Sequence, residues 1–250
     1  MTALRQSVRR ILVALEASRP SADAISTAIA LAADLGAELE GLFVEDVQVI
    51  RAAGLPFATQ VSLPSGARRP LDRHVVESEL RAAAAALREA LATAATARGV
   101  RWSFRVARGH VHRELVHASS RADVVVVAGS GRAVRAPRAP GVVVAYDGSE
   151  PSDRALDVAL RLATDPRSVL LLVAARSAAE AGRLAERARA SRGIPALQAR
   201  WAGGASRHDL VRAIRDVNGP LIVAAEIVDF AQGGPELIVE VVASPLLILR

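Results

Sequence analysis

The chain has 250 residues, enough for one large domain or two small ones, and its 51% hydrophobic and 23% charged residues are typical of globular proteins. It contains no cysteine and no lysine, which excludes disulfides, thiolate metal sites, cysteine nucleophiles, Schiff-base lysines and Walker-type lysines. The net charge of +6 is carried by arginines scattered among alanines and glutamates with only 3% aromatic residues, which favours solvated helix faces over a nucleic-acid surface.

Strands and helices alternate along the chain in two runs that follow the same plan. The first run predicts strand Arg10–Leu15, a helix from near Pro20, strand Glu38–Val44, helix Val75–Arg98, strand Arg101–Ala107, helix His112–Ser119 and strand Asp123–Ala128. The second run predicts strand Gly141–Tyr146, a helix from near Pro151, strand Ser168–Ala174, helix Ala178–Ser191, strand Ala196–Ala202, helix Arg207–Asp216 and strand Pro220–Ala225. This alternation predicts an α/β fold with parallel strands and right-handed crossovers.

The two runs are also similar in sequence, which indicates an internal repeat. The segment "ILVALEASRPSADAISTAIALAADL" from Ile11 matches "VVVAYDGSEPSDRALDVALRLATDP" from Val142. A second match joins "GHVHRELVHA" from Gly109 to "GASRHDLVRA" from Gly204. The two matching segments follow each other in the same order in both runs. The chain therefore contains two copies of one unit.

We assign the copies to two domains, residues 1–138 and residues 139–250. The first copy carries an insertion at about 45–73 that is too long for an ordinary connection. A lid, a dimer contact and a mobile loop are all open interpretations of it. We favour a packing role over a ligand role, because Leu55, Phe57 and Leu63 give the insertion apolar surface to bury.

The composition of the strands predicts their order in each sheet. The segments "VVVV" and "GVVVA" are apolar throughout, as strands buried on both faces should be. The segment "VRWSFRVA" alternates between apolar and polar residues, which is typical of an edge strand with one solvated face. An order of 3-2-1-4 follows, with a ligand crevice expected at the carboxyl ends of strands one and four.

Several segments resemble those of universal stress proteins. In the second half these are "VVVAYDGSEPSDRALDVALRLA", "GASRHDLVRAI", "PLIVAAE" and "VVASPLLILR". In the first half they are "ILVALEASRPSADAISTAIALA", "GHVHRELVHA" and "ADVVVVAGSG". The resemblance implies two tandem Rossmann-like, adenine nucleotide alpha hydrolase-like domains of strand order 3-2-1-4(-5). The first copy lacks the last helix and strand, and Arg132–Pro140 serves as the linker.

The family implied by this resemblance functions in survival under stress, is usually dimeric and includes both ATP-binding members and members that bind no ATP. In ATP-binding members an Asp at the end of the first strand contacts the adenine, and a loop of pattern G-x2-G-x9-G-[ST] holds the ribose and phosphates. Asp147 matches the adenine Asp, and Glu16 takes its place in the first copy. In the second copy Ala225 and Val228 stand where the first two glycines of the loop belong.

The candidate nucleotide-binding residues follow from this match. They are Asp147, Gly148, Ser149, Val173, Gly233 and Gly234 in the second copy, and Gly129 and Gly131 in the first. A structural interpretation is also available for each group: Asp147 and Ser149 are common turn and helix-cap residues, and Gly129–Gly131 can be a plain turn before the linker. We favour the structural interpretation, because the glycines of the phosphate grip are lost.

The expected function is that of a regulatory or interaction module in the stress response, with a degenerate nucleotide site. The alternative is a sensor of ATP or another adenine nucleotide that uses the second half, and a slow ATPase or hydrolase is the third hypothesis. We expect no catalytic activity, since no nucleophile and base share matching loops. No metal site is expected, because His110, His112 and His117 do not share a helix face.

The expected partners are the chain itself and, in the alternative, ATP. The two halves are expected to pack as a pseudo-dimer, and two chains are expected to pair through Leu246–Leu249. Neither a nucleic-acid nor a membrane partner is expected. The start of the chain lacks a signal-peptide core, so the expected location is cytoplasmic.

Overall fold

The computed structural model of the chain describes residues 8–17, 22–61, 66, 68–129, 141–215, 219–225 and 244–249. The strands are β1 Arg10–Leu15, β2 Glu38–Asp46, β3 Thr59–Val61, β4 Arg68–Pro70, β5 Trp102–Gly109, β6 Val124–Val127, β7 Val142–Tyr146, β8 Val169–Val173, β9 Gln198–Trp201, β10 Leu221–Ala224 and β11 Leu246–Leu249. The α-helices are α1 Ala22–Leu35, α2 Val47–Ala52, α3 Arg73–Ala97, α4 Val111–Ser119, α5 Glu150–Leu162, α6 Ala178–Arg192 and α7 Arg207–Ile214.

Nine strands form one sheet in the order β5-β2-β1-β6-β11-β10-β7-β8-β9. In the first half the first four strands of the repeat lie in the order 3-2-1-4, and in the second half five strands lie in the order 3-2-1-4-5. All neighbours within each half are parallel. The predicted fold class and strand order are therefore confirmed, including the edge position of the third strand in both halves.

Strand β11 joins the two halves of the sheet. It runs parallel to β10 on one side and antiparallel to β6 on the other, with Leu246 opposite Val127 and Leu249 opposite Val124. Both backbone edges of β11 are thus used within the chain. The prediction that two chains pair through Leu246–Leu249 is wrong, because that strand has no free edge.

Helices cover both faces of the sheet. Helices α1, α3, α5 and α6 pack on one face, where α1 and α5 also contact each other across the two halves. Helices α4 and α7 pack on the opposite face. Strands β6, β7, β8, β10 and β11 are buried along their whole length, and small and branched side chains make up most of the core. This is the composition that strands covered on both faces require.

Standard local signals set the limits of the helices. Asp72 accepts hydrogen bonds from the backbone N–H groups of His74 and Val75 and so begins α3. Helix α6 begins after Ser177, whose side chain accepts from the N–H of Glu180, and it ends at Gly193 in the left-handed conformation. Among the described residues, no helix combines the length and the apolar character needed to cross a membrane.

The insertion after β2 contains the short helix α2 and an antiparallel hairpin of β3 and β4. Its base is fixed by Arg108 of β5, whose Nε lies 2.8 Å from Oε2 of the buried Glu45 and whose Nη1 lies 3.6 Å from Oε1 of Glu77. Glu45 raises the pKa of Arg108 further, so the cation at this position is permanent. Leu55 is 46% exposed and Phe57 is 78% exposed. These two side chains are therefore not buried against the described part of this chain, and Leu63 lies outside the described residues.

Candidate functional site

The carboxyl ends of β7, β8 and β10 form the edge of the sheet where the sequence predicts a ligand. Strand β7 lies between β8 and β10, and Asp147 follows its last residue. Helix α5 then begins at Glu150 and packs on one face of the sheet. The structure thus brings Asp147, Gly148 and Ser149 to the predicted edge, close to Val173 at the end of β8. Gly233 and Gly234 lie outside the described residues.

The carboxylate of Asp147 is used within its own turn. Its Oδ1 accepts a hydrogen bond from the backbone N–H of Ser149 at 2.9 Å and another from the Ser149 hydroxyl at 2.6 Å. Partial burial alone would raise the pKa of Asp147, but the hydrogen bonds from Ser149 outweigh it and lower this pKa. Asp147 is therefore a charged residue that closes the turn between β7 and α5.

Ser149 is the N-cap of α5. Its Oγ accepts from the backbone N–H of Ser152 at 3.3 Å, and Pro151 occupies the first helical turn, where its missing N–H is harmless. The Ser149 hydroxyl therefore accepts from the helix while it donates to Asp147. These contacts match the turn and helix-cap roles that the sequence favoured for Asp147 and Ser149.

Gly148 allows the turn to close. Its φ of 80° lies in the left-handed region, and an added Cβ would meet the side chains of Arg187 and Leu184. The Arg187 guanidinium donates a hydrogen bond to the Gly148 carbonyl. Two side chains of α6 therefore fill the space beside the turn, on the face of the sheet that α5 and α6 cover.

Val173 is buried at the end of β8, and the backbone groups around it are engaged by neighbouring strands. Its carbonyl accepts from the N–H of Ala202 at 2.9 Å, and the next N–H, of Ala174, donates to the carbonyl of Tyr146 at 2.8 Å. These groups belong to the backbone near Val173 that the nucleotide hypothesis assigns to a ligand. Both are already hydrogen-bonded within the sheet.

A polar network behind this edge was missed by the sequence reasoning. Tyr146 is fully buried, and its hydroxyl donates to Oδ1 of Asp153 at 2.9 Å. Arg192 reaches the same oxygen with Nη1 and Oδ1 of Asp157 with Nε, both at 3.0 Å. The network ties α5 to α6. The i, i+4 spacing of Asp153 and Asp157, together with a lone Tyr in an apolar strand, is the signal that could have indicated it.

In the first half, Gly129 follows β6 and is buried. Gly131 lies outside the described residues, so the candidate phosphate turn is described only at its first glycine. Glu16 follows β1 at the place that corresponds to Asp147. Within the described part of the chain, no group of three or more His, Asp or Glu side chains is arranged to hold a metal ion.

No family model and no curated protein matches the chain in sequence. Among solved structures, the chain is similar to a universal stress protein from Archaeoglobus fulgidus, with 12% identity, a TM-score of 0.56, and coverage of 98% of this chain and 97% of that chain. It is also similar to a functionally unknown protein from Pseudomonas aeruginosa, with 15% identity, a TM-score of 0.50, and coverage of 100% and 94%. The likeness spans both halves and confirms the predicted resemblance to universal stress proteins at the level of the fold.

Proposed function

We propose that this chain belongs to the universal stress proteins and acts in the stress response as a regulatory or interaction module whose nucleotide site is degenerate. The fold shared with the Archaeoglobus fulgidus universal stress protein supports the family assignment. The loss of two loop glycines, replaced by Ala225 and Val228, supports the loss of phosphate binding.

The observation that carries the proposal is the use of Asp147 within its own turn. A carboxylate that recognises adenine has to accept a hydrogen bond from the exocyclic amine of the base. Oδ1 of Asp147 already accepts two hydrogen bonds from Ser149. A ligand therefore has to compete with an intramolecular turn for Oδ1 and is left with Oδ2 of the carboxylate. The backbone around Val173 offers it little in addition, since those groups are bonded within the sheet.

The alternative function is an adenine-nucleotide sensor in the second half. One observation favours it: Asp147 is exposed, and its lowered pKa keeps it ionised at the carboxyl edge of the sheet next to the glycine turn. A charged acceptor at a topological switch point is the kind of group that open α/β sheets use for ligands. This sensor would use Asp147, the backbone near Val173 and the Gly233–Gly234 turn, which lies outside the described residues.

The experiment that separates the two functions has two steps. The purified protein is denatured and any released nucleotide is identified by mass, and the refolded or ligand-free protein is then titrated with ATP by calorimetry. The interaction module predicts no released nucleotide and no heat of binding at millimolar ATP. Bound nucleotide that is lost in Asp147→Ala and retained in Glu150→Ala, an exposed neighbour, would establish the sensor instead.

We further propose that the chain has no catalytic activity. ATP turnover is measured in the same preparation, with phosphate release as the readout. Turnover that is abolished by a single side-chain change at the carboxyl edge of β7, such as Ser149→Ala, would contradict this and establish an enzyme.

A further inference from the structure

The hairpin of β3 and β4 is the exposed part of the insertion. All six of its strand residues are exposed, and among the described residues no third strand lies beside it. A two-stranded hairpin is only marginally stable in water unless another strand or a hydrophobic surface supports it. Within the described part of the chain, the hairpin is therefore a strand pair without a neighbouring strand.

The backbone of the hairpin shows which groups face outwards. The N–H of Leu71 donates to the carbonyl of Ala58 at 2.9 Å, so the backbone of Ala58 faces the strand opposite. Because this direction alternates along an antiparallel strand, Gln60 also faces inwards, towards Arg69. The N–H and C=O groups of Thr59 and Val61 then point to the outer edge of β3.

The two edges of the hairpin differ in their chemistry. Strand β4 consists of Arg68, Arg69 and Pro70, and charges together with proline are the features that keep an edge strand from pairing. Strand β3 consists of Thr59, Gln60 and Val61, with no charge and no proline. Only the outer edge of β3 is suited to accept another strand.

We propose that a second copy of this chain pairs with that edge, with β3 antiparallel to β3 about a two-fold axis through Gln60. In this register Thr59 lies opposite Val61 of the partner subunit, and the two residues exchange both backbone hydrogen bonds, since their polar groups face outwards. Two β-branched side chains opposite each other form a favourable cross-strand pair. Gln60 faces Gln60 of the partner subunit with Cα atoms about 4.5 Å apart.

Charge also permits this pairing, although the chain carries a net charge of +6. The arginines of the two copies lie on the outer strands of the resulting four-stranded sheet. Three strand spacings of about 4.8 Å separate these strands by about 14 Å, which exceeds the Debye length of about 10 Å at 0.1 M salt. Pairing through β4 would instead bring arginines of the two copies directly together.

The segment before β3 provides apolar surface for the same contact. Leu55 and Phe57 are exposed large hydrophobic residues shortly before Thr59, and Phe57 is the most exposed large apolar side chain in the described part of the chain. Exposed apolar side chains of this size are commonly buried at contacts between proteins. The pairing needs no nucleotide and is independent of the proposed function.

The first test is the mass of the protein by sedimentation velocity at about 1–100 micromolar chain, a range that detects dissociation constants in the micromolar range. We expect a reversible dimer. Val61→Pro removes an N–H that points outwards and leaves the bonds of Gln60 to β4 intact, so it should weaken association about tenfold or more. Val61→Thr keeps the N–H and the β-branch and should associate as the original chain does.

The second test uses charge exchange at the proposed axis. Gln60→Arg and Gln60→Glu each place like charges opposite each other and should each dissociate the dimer at least about fivefold more easily. An equimolar mixture of the two variants should form a heterodimer, which only a contact of residue 60 with its own copy can produce. A wild-type monomer at 100 micromolar, a dimer that persists in Val61→Pro, or a failure of the mixture to associate would each overturn the proposal.

Discussion

The substitution Leu247→Ala tests whether β11 couples the two halves of the molecule. Leu247 lies at the centre of β11, with Ile222 of β10 on one side and Val126 of β6 on the other. All three side chains are fully buried in the same core cluster. The substitution therefore perturbs one buried side chain that both halves contact.

The magnitude follows from the atoms removed. Leu→Ala deletes three carbon groups, and burial of each contributes about 0.8 kcal/mol, which gives about 2.4 kcal/mol for transfer alone. A cavity cost adds to this, because β-strands on both sides hold the site open and limit its collapse. We expect the free energy of unfolding to fall by about 3–5 kcal/mol. Leu55→Ala is the control, since Leu55 is 46% exposed and its loss should cost less than about 1 kcal/mol.

The chain supplies its own probes for the assay. Its two tryptophans lie on opposite edges of the sheet, Trp102 in β5 and Trp201 in β9. Urea unfolding is followed by fluorescence in Trp102→Phe and in Trp201→Phe, so that each remaining tryptophan reports on one half. If the sheet is continuous through β11, Leu247→Ala lowers both midpoints by a similar amount. A midpoint that shifts only for Trp201 would refute the coupling of the halves.

Three further predictions concern the carboxyl end of β7 and the turn that follows it. Burial raises the pKa of Tyr146, with Asp153 adding to the effect and Arg187 opposing it. The contribution of Tyr146 to the free energy of unfolding is therefore fully present below about pH 10 and is lost as pH rises through the native pKa. Because the chain has one tyrosine, absorbance at alkaline pH together with thermal melts measures this loss. Ser149→Ala removes a helix cap and a donor to Asp147, so it should lower the free energy of unfolding by about 1 kcal/mol at pH 7 and raise the pKa of Asp147 in a carboxyl NMR titration. The lowered native pKa stabilises the protein above the unfolded value near 3.9, and this stabilisation is lost as pH falls through the native pKa. An unchanged pKa of Asp147 in the variant would contradict the hydrogen bonding assigned to this turn. Gly148→Ala forces a left-handed residue and a Cβ against α6, and should destabilise the protein by about 1–3 kcal/mol in urea, whereas Gly182→Ala, in a helix with open space around the glycine, should be neutral or stabilising.

The sequence predicted the order of the strands because composition reports burial directly. An all-valine β6 and an alternating β5 indicate a central and an edge strand without any knowledge of contacts. The same reasoning applies to β11: "LLIL" is apolar on both faces and indicates a strand covered on both sides. The prediction of a chain-to-chain contact there gave more weight to the usual dimer of the family than to this composition.

Other features depend on contacts that composition does not encode. Arg192 meets Asp153 from 39 positions away, and nothing in the local pattern of α6 distinguishes it from the other arginines of that helix. The hairpin of the insertion has strands of three residues, too short to show a period of two. The engagement of Asp147 by Ser149 was weighed from the turn chemistry of the two residue types, but the distances that decide it come from the fold.

The most direct test of the central claim, that the nucleotide site of the second half is degenerate, is an amide NMR titration of the protein with ATP. We predict that the N–H resonances of Gly148, Ser149 and Ala174 do not shift at millimolar ATP, because the turn and the strand ends are closed by internal hydrogen bonds. Saturable shifts confined to these three residues, absent when Asp147 is replaced by Ala, would contradict it.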